Sequence, residues 1–169
     1  LWAQIEAAND ITSRRLALWH RYDAALAGRC SALRTPTVPA ECEHNGHMYY
    51  VIPSGPVDRD TVLVELKRQG VCGVFHYVPL HSSEFGQKTG RTAAGKLPVT
   101  DFVGQQLIRL PLWVGLGESE QGRVIDTLDK ALEAVDKGSV YASSHILQHQ
   151  YPHGRSSPRR LIQDAMPSS

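Results

Sequence analysis

Two long amphipathic helical patterns enclose three short apolar segments in this chain, and that order limits the folds open to it. Residues 1–27 repeat apolar or small side chains at helical spacing, and Gly28 is a suitable stop. The repeating positions are Ile5, Ala8, Thr12, Leu16, Trp19, Tyr22 and Leu26. Residues 118–136 carry the clearest stripe, made of Val124, Ile125, Leu128, Leu132 and Val135. Both stripes must be buried against the elements between them.

The three apolar segments between these helices predict short strands. They are HMYYVIP at 47–53, VCGVFHYV at 71–78 and IRLPL at 108–112. β-Branched and aromatic residues are concentrated in the first two, and proline closes each of those. Together with the helical patterns they predict an α+β fold. It has a long N-terminal helix and a small, mostly antiparallel sheet with helices on one face.

The remaining segments predict shorter elements and connections. Residues 58–70 predict a helix that Asp58 caps and Gly70 ends. Residues 29–46 have no period and predict a connector, while 79–98 predict a long loop. Thr100 is expected to cap a short helix that continues to about residue 107.

The last part of the chain has a different composition. Residues 138–169 are rich in Ser, His, Arg and Pro and predict a mostly disordered tail. His145, His149 and His153 stand four residues apart, but Pro152 interrupts a helix there, so a metal site is not expected. The basic stretch at 155–160 predicts a solvated tail rather than a nucleic-acid contact.

Composition excludes several classes of protein. The formal net charge is +1, which gives no case for binding nucleic acid or a membrane surface. No apolar run approaches the roughly 20 residues of a transmembrane helix, and no secretory signal opens the sequence. The three cysteines form no CxxC pair, as expected of reduced thiols in the cytoplasm.

Three phrases carry a resemblance to a known family. They are HNGHMYYVIP at 44–53, GVFHYVPLH at 73–81 and RLPLW at 109–113. Their order and intervals resemble the DegT/DnrJ/EryC1/StrS aminotransferases, and within these the dTDP-4-amino-4,6-dideoxygalactose transaminases. The resemblance extends from Leu1 to about Val135, and HYVPLH is a fairly specific phrase for the family.

The resemblance implies the small C-terminal domain of a fold-type-I, pyridoxal-phosphate-dependent enzyme. Such an enzyme transfers an amino group, usually from glutamate, to a ketone of a nucleotide-linked sugar. Residues 1–30 would be the linking helix from the large domain, 31–137 the small domain, and 138–169 a tail outside the family. The resemblance further implies a homodimer in the cytoplasm, with a nucleotide sugar as substrate and surface polysaccharide or amino-sugar biosynthesis as its setting.

The cofactor chemistry needs groups that this chain is not expected to supply. Pyridoxal 5'-phosphate requires an imine-forming lysine, an acid at the pyridine nitrogen and backbone N–H groups around the phosphate. In the family the large domain provides them, upstream of the point where this chain begins. Lys67, Lys88, Lys96, Lys130 and Lys137 are expected to be solvated. Because Leu1 falls inside a helical pattern, we expect a fragment that lacks the cofactor site and is inactive alone.

His76, Tyr77 and His81 are the candidate substrate-binding residues. In the resembling enzymes their phrase reaches the mouth of the active site and contacts the sugar nucleotide. Strand alternation would place His76 with Val74 on one face and Tyr77 on the other. Each histidine could instead be a hydrogen-bonded structural residue, and a metal would lack a third ligand.

Two further groups leave alternatives open. Asn45, His47, Tyr49 and Tyr50 begin the first strand, either as ordinary packing or as a second wall of the same cleft. Arg109 suits a solvated or ion-paired position, with an anion contact as the other interpretation. For the chain as a whole, the alternative to an enzyme part is a stand-alone ligand-binding or protein-interaction module. Nucleic-acid binding through the tail ranks last.

Overall fold

The computed structural model describes residues 2–28, 33–54, 57–92 and 96–136. Its helices are α1 (Trp2–Glu6), α2 (Ala8–Leu26), α3 (Arg59–Arg68), α4 (Glu84–Thr89), α5 (Pro98–Gln106) and α6 (Glu118–Asp136). Its strands are β1 (Leu33–Arg34), β2 (Tyr49–Pro53), β3 (Val74–Phe75) and β4 (Ile108–Leu110), and Leu80–Ser82 form a 3-10 turn. The predicted tail at 138–169 lies outside the described residues, as does Lys137.

The strands of the described residues form one four-stranded antiparallel sheet in the order β1-β2-β4-β3. This confirms the predicted α+β class and the antiparallel sheet. Strand β1 was missed, because it lies in the segment predicted to be a connector. Its two residues pair with Ile52 and Pro53, and a strand so short gives no sequence period.

One face of this sheet packs against α2, α3 and α6. Tyr49 and Val51 of β2 alternate with Tyr50, and both are buried in the same core as Ile108 and Leu110 of β4. The helices contribute Leu18, Trp19, Tyr22, Leu26, Val62, Leu66, Val124, Ile125, Leu128 and Ala131. The stripe predicted for α6 is therefore confirmed, since Leu132 and Val135 also pack against this core.

The first helical pattern divides into a buried and an exposed half. A turn at Ala7 separates α1 from α2, so the prediction of one continuous helix was wrong at that residue. Ile5 is 59% exposed, whereas Tyr22 is completely buried. The Tyr22 ring stacks on Tyr49, and its hydroxyl donates to the Pro111 carbonyl at 2.7 Å. Burial raises the pKa of Tyr22, which keeps the phenol a donor.

A buried amide joins α6 to α2. Gln121 is fully buried, and its Nε2 donates to the Leu18 carbonyl at 2.7 Å. Its Oε1 accepts from Arg21 at 3.3 Å, so both ends of the amide have partners. Because Leu18 lies inside α2, this bond fixes the register between the two longest helices.

The capping residues predicted from the sequence are confirmed for α3 and differ for α5. Asp58 caps α3 as predicted, accepting from the Thr61 N–H, and Gly70 has the positive φ of a helix stop. Thr100 lies inside α5, which begins at Pro98, where a missing N–H costs nothing. The predicted loop at 79–98 contains the 3-10 turn and α4, which Ser83 caps by accepting from the Gly86 N–H.

The connector before β2 touches the backbone of α2. Gly46 has φ +56, and a Cβ placed there would lie 3.0 Å from the carbonyl carbon of Arg15. Gly122 in α6 is a contrasting case, since a Cβ there meets nothing within 4 Å. Glycine is required at position 46, because φ is positive there and the backbone of α2 lies close. Neither condition holds at Gly122.

We therefore expect opposite effects from two glycine-to-alanine substitutions. Gly46→Ala should destabilise the chain by about 1–3 kcal/mol, because it adds backbone strain and a steric clash. Gly122→Ala should stabilise it by about 0.5–1 kcal/mol, because alanine lowers the entropy of the unfolded chain at a compatible helical site. Urea denaturation of both variants measures this, and a stabilised Gly46→Ala variant would contradict the placement of the connector.

Candidate functional site

The candidate site lies on the side of the sheet opposite the main core. Direct partners in an antiparallel pair share a face. Tyr50 of β2 and Val74 of β3 both pair with Arg109 of β4, whereas the neighbouring Ile108 points into the core. The Arg109 side chain therefore projects away from that core, in the centre of the sheet.

Two buried nitrogen atoms at this place have no hydrogen-bond partner. They are Nδ1 of His76, which directly follows β3, and Nε of Arg109. Both side chains are half-buried. Leaving a buried polar group unpaired costs about 1–3 kcal/mol, so each atom is a position where a bound group would be stabilising.

The electrostatic surroundings of His76 are positive. Burial lowers the pKa of its imidazole, and the charges of Arg109 and His47 lower it further. No carboxylate contributes to this shift. His76 is therefore held neutral at pH 7, beside a permanent cation.

Tyr77 combines exposure with an unusual backbone conformation. Its φ is +30, a value that side-chain-bearing residues rarely adopt, and the residue is 73% exposed. Its ring contacts His76 edge-to-face with the centroids 5.2 Å apart. The predicted strand at 71–78 therefore ends early, at Phe75, and its expected alternation does not extend through Tyr77.

His81 is held by a carboxylate from α5. Its Nε2 donates to Oδ1 of Asp101 at 2.8 Å, and the imidazole is 21% exposed. Among the described residues, neither His76 nor Tyr77 makes a hydrogen bond or ring contact with it. His76 and Tyr77 thus contact each other, whereas His81 is held separately by Asp101. The spacing of these residues in the sequence does not indicate this difference.

The segment before β2 lines a cleft of its own. Asn45 and His47 join Thr12, Glu43 and His44 around an open cleft of about 520 Å³. The Asn45 side-chain oxygen accepts from both the backbone and the ring of His47, at 3.2 and 2.9 Å.

The described residues do not fit the cofactor of an aminotransferase. Lys67, Lys88, Lys96 and Lys130 are all exposed, and none lines the cleft. Lys88 also pairs with Glu84 at 2.7 Å. Pyridoxal phosphate needs a lysine directed into an enclosed pocket, and within residues 2–136 as described no lysine is so placed.

The described residues form neither a metal centre nor a membrane-spanning helix. No group of three His, Cys, Asp or Glu side chains comes together as metal ligands in the part of the chain that the structure describes. None of its helices is both long and apolar enough to cross a bilayer.

Comparisons with known proteins identify the fold. An aminotransferase from Streptoalloteichus hindustanus shares 27% identity and has a TM-score of 0.69, over 79% of this chain and 35% of its own. A Streptococcus pneumoniae protein described as a sugar aminotransferase shares 25% identity with a TM-score of 0.72, over 82% and 35%. An uncharacterized protein of Methanocaldococcus jannaschii is 25% identical over 130 residues, or 75% of this chain and 33% of its own length.

The chain spans about one third of the length of these relatives. The Streptococcus pneumoniae protein is known in apo, pyridoxal-phosphate and pyridoxamine-phosphate forms. Residues 1–129 match a family model across most of the region that the structure describes. The chain belongs to the DegT/DnrJ/EryC1/StrS aminotransferase family.

Proposed function

We propose that this chain is the C-terminal part of a sugar-nucleotide aminotransferase that depends on pyridoxal phosphate. The family match over residues 1–129 carries this proposal. The intact enzyme would transfer an amino group from glutamate to a dTDP-4-keto-6-deoxy sugar, as a dTDP-4-amino-4,6-dideoxygalactose transaminase does. It would act as a cytoplasmic homodimer, in the synthesis of surface polysaccharide or other amino sugars.

In this proposal the cofactor belongs to a large domain outside this chain. That domain would supply the Schiff-base lysine and the phosphate contacts, and the cofactor would supply the electron sink for transamination. Two observations support the division. The described lysines are all exposed, and the relatives are about three times as long as the matched segment.

The part proposed for this chain is to hold the nucleotide sugar. Tyr77 is exposed and conformationally strained, so its ring is available for a ligand at little further cost. His76 lies against that ring as a neutral imidazole. Asp101 restrains His81 on one nitrogen, which leaves Nδ1 for a substrate hydroxyl. These contacts would orient the sugar and keep water away from it, and none would carry the amino group.

If a large domain outside this chain holds the cofactor, the isolated chain should not bind pyridoxal phosphate specifically. Incubation with pyridoxal phosphate and reduction with borohydride should leave no specific lysine adduct, because an exposed lysine forms only weak, reversible imines. Peptide mass spectrometry measures the labelling of each lysine. A parallel reaction of pyridoxal phosphate with free N-acetyl-lysine gives the background level of trapping. Stoichiometric trapping on one lysine together with turnover would contradict the proposed division.

The substrate role predicts a kinetic pattern in the intact protein that contains this chain. Tyr77→Ala and His81→Ala should raise the KM for dTDP-4-keto-6-deoxyglucose by about tenfold, the loss expected for one good contact, with a smaller change in kcat. Lys130→Ala, on the exposed side of α6, is the matched control and should change neither constant.

Mass-spectrometric detection of the amino sugar, with glutamate as donor, gives both constants. Failure to aminate any nucleotide sugar would overturn the proposed function. Unchanged KM values in both variants would overturn the assignment of the residues while leaving the reaction in place.

A further inference from the structure

We infer that Asp101 is a positioning residue that makes the substrate site selective for a hydroxyl group of the hexose. It does so by holding the imidazole of His81 in one orientation and one tautomer. The inference rests on the proposed function for the identity of the ligand, and it adds a residue of α5 to the site. The pairing itself is observed, with 2.8 Å between His81 Nε2 and Asp101 Oδ1.

The backbone around His81 does not orient its ring. His81 lies in the 3-10 turn Leu80–Ser82, which is closed by local bonds. The N–H groups of Ser82 and Ser83 donate to the Pro79 carbonyl at 3.0 and 3.2 Å, and neither bond involves the imidazole. The orientation of the ring therefore has to come from another element of the fold.

Helix α5 provides this restraint from one of its faces. Asp101 and Gly104 are three residues apart, so both lie on the same side of the helix. A Cβ on Gly104 would lie 2.8 Å from Cγ of Pro79, so the backbone of α5 is close to the start of the turn. The missing side chain at position 104 allows this approach, and the carboxylate at position 101 then reaches His81.

The carboxylate of Asp101 is not needed to cap its own helix. Helix α5 begins at Pro98, and no side chain caps it at Leu97. Within the ranges that the structure describes, the side chain of Asp101 pairs with His81 alone. A substitution of Asp101 should therefore release the imidazole while α5 still forms.

The pairing determines which hydrogen bond His81 can still make. An ionised carboxylate only accepts, so Nε2 carries the hydrogen of this bond. A neutral imidazole then has a lone pair on Nδ1, which can only accept. The imidazole is 21% exposed, and no described residue bonds to Nδ1. A ligand group that meets Nδ1 must therefore be a donor.

This requirement selects among the groups of the substrate. On the hexose the hydroxyl groups can donate, whereas the keto oxygen can only accept. Without the carboxylate the ring of His81 could turn and take the other tautomer, and the selection would be lost. The ammonium group of glutamate is also a donor, so the amino donor is an outcome of the test and not the proposed ligand.

Kinetics of the intact protein that contains this chain test the selectivity. The substrate dTDP-4-keto-6-deoxyglucose is compared with its 2-deoxy and 3-deoxy analogues, with glutamate as donor. One analogue should have a kcat/KM about tenfold below that of the parent sugar, the loss expected for one hydrogen bond. In Asp101→Ala the parent and this analogue should become about equal, and the KM of the parent should rise about tenfold with a smaller change in kcat.

Two further variants separate positioning from folding. Asp101→Asn keeps an oxygen that accepts from Nε2 and should restore most of the discrimination. Thr100→Ala changes the exposed neighbouring side chain in the same helix and should alter neither the KM nor the discrimination. A merely structural role of Asp101 would lower kcat/KM equally for the parent sugar and its analogues. The thermal midpoint of each variant identifies any loss of folding.

The tautomer of His81 is measured without any substitution. Nitrogen NMR of the isotope-labelled imidazole in the 169-residue chain, at about pH 8, should show hydrogen on Nε2 and a bare Nδ1. Asp101→Ala should show a mixture of the two tautomers. Hydrogen on Nδ1 in the unsubstituted chain would overturn the inference, whatever the kinetics of the variants.

The outcomes distinguish this inference from the function on which it rests. Unchanged KM and discrimination in Asp101→Ala, or a rise in the KM of glutamate in place of that of the sugar, would overturn the positioning role while the proposed function stands. Failure of the unsubstituted intact protein to aminate any nucleotide sugar would overturn the proposed function, and with it the selectivity for a sugar hydroxyl. The tautomer would still decide whether Asp101 holds His81.

Discussion

The alternation of side chains along strand β4 decides which of them enter the core and which lie at the candidate site. Ile108 and Leu110 are buried against α2, α3 and α6. Because side chains alternate along a strand, Arg109 between them points to the opposite face of the sheet. A shift of one residue in register would expose both aliphatic side chains and bury the guanidinium. Hydrophobic burial on one face of the sheet thus places a cation at the candidate site on the other.

The elements that the sequence predicted well are those with enough length to show a period. Helix α6 was predicted at its observed bounds, and α3 was predicted from its Asp58 cap and its apolar positions. The break at Ala7 and the two-residue strand β1 left no such signal. Helix α4 depends on the Ser83 cap, whose neighbours are polar and glycine residues that also suit a loop.

The substrate-binding role of His76, Tyr77 and His81 stays a prediction, and the structure adds contacts that the sequence did not indicate. The phrase around His76, Tyr77 and His81 indicated a ligand-facing segment, but spacing did not separate His81, which α5 holds through Asp101. Arg109 was expected to be solvated or ion-paired, and the described residues provide it with no acidic partner. Its position beside β3, the strand that His76 follows, depends on pairing between strands more than 30 residues apart in sequence, so it becomes visible only once the register is known.

A pH titration of His76 by NMR, in the chain and in Arg109→Met, tests most directly how the sheet places these two residues. We expect the pKa of His76 to lie below its ordinary value of 6.5 and to rise when the guanidinium is removed. Because the unfolded chain then binds this proton first, His76 removes stability as the pH falls below about 6.5. Titration at or above 6.5, unchanged in the variant, would contradict a half-buried His76 whose pKa is lowered by burial and by the charge of Arg109.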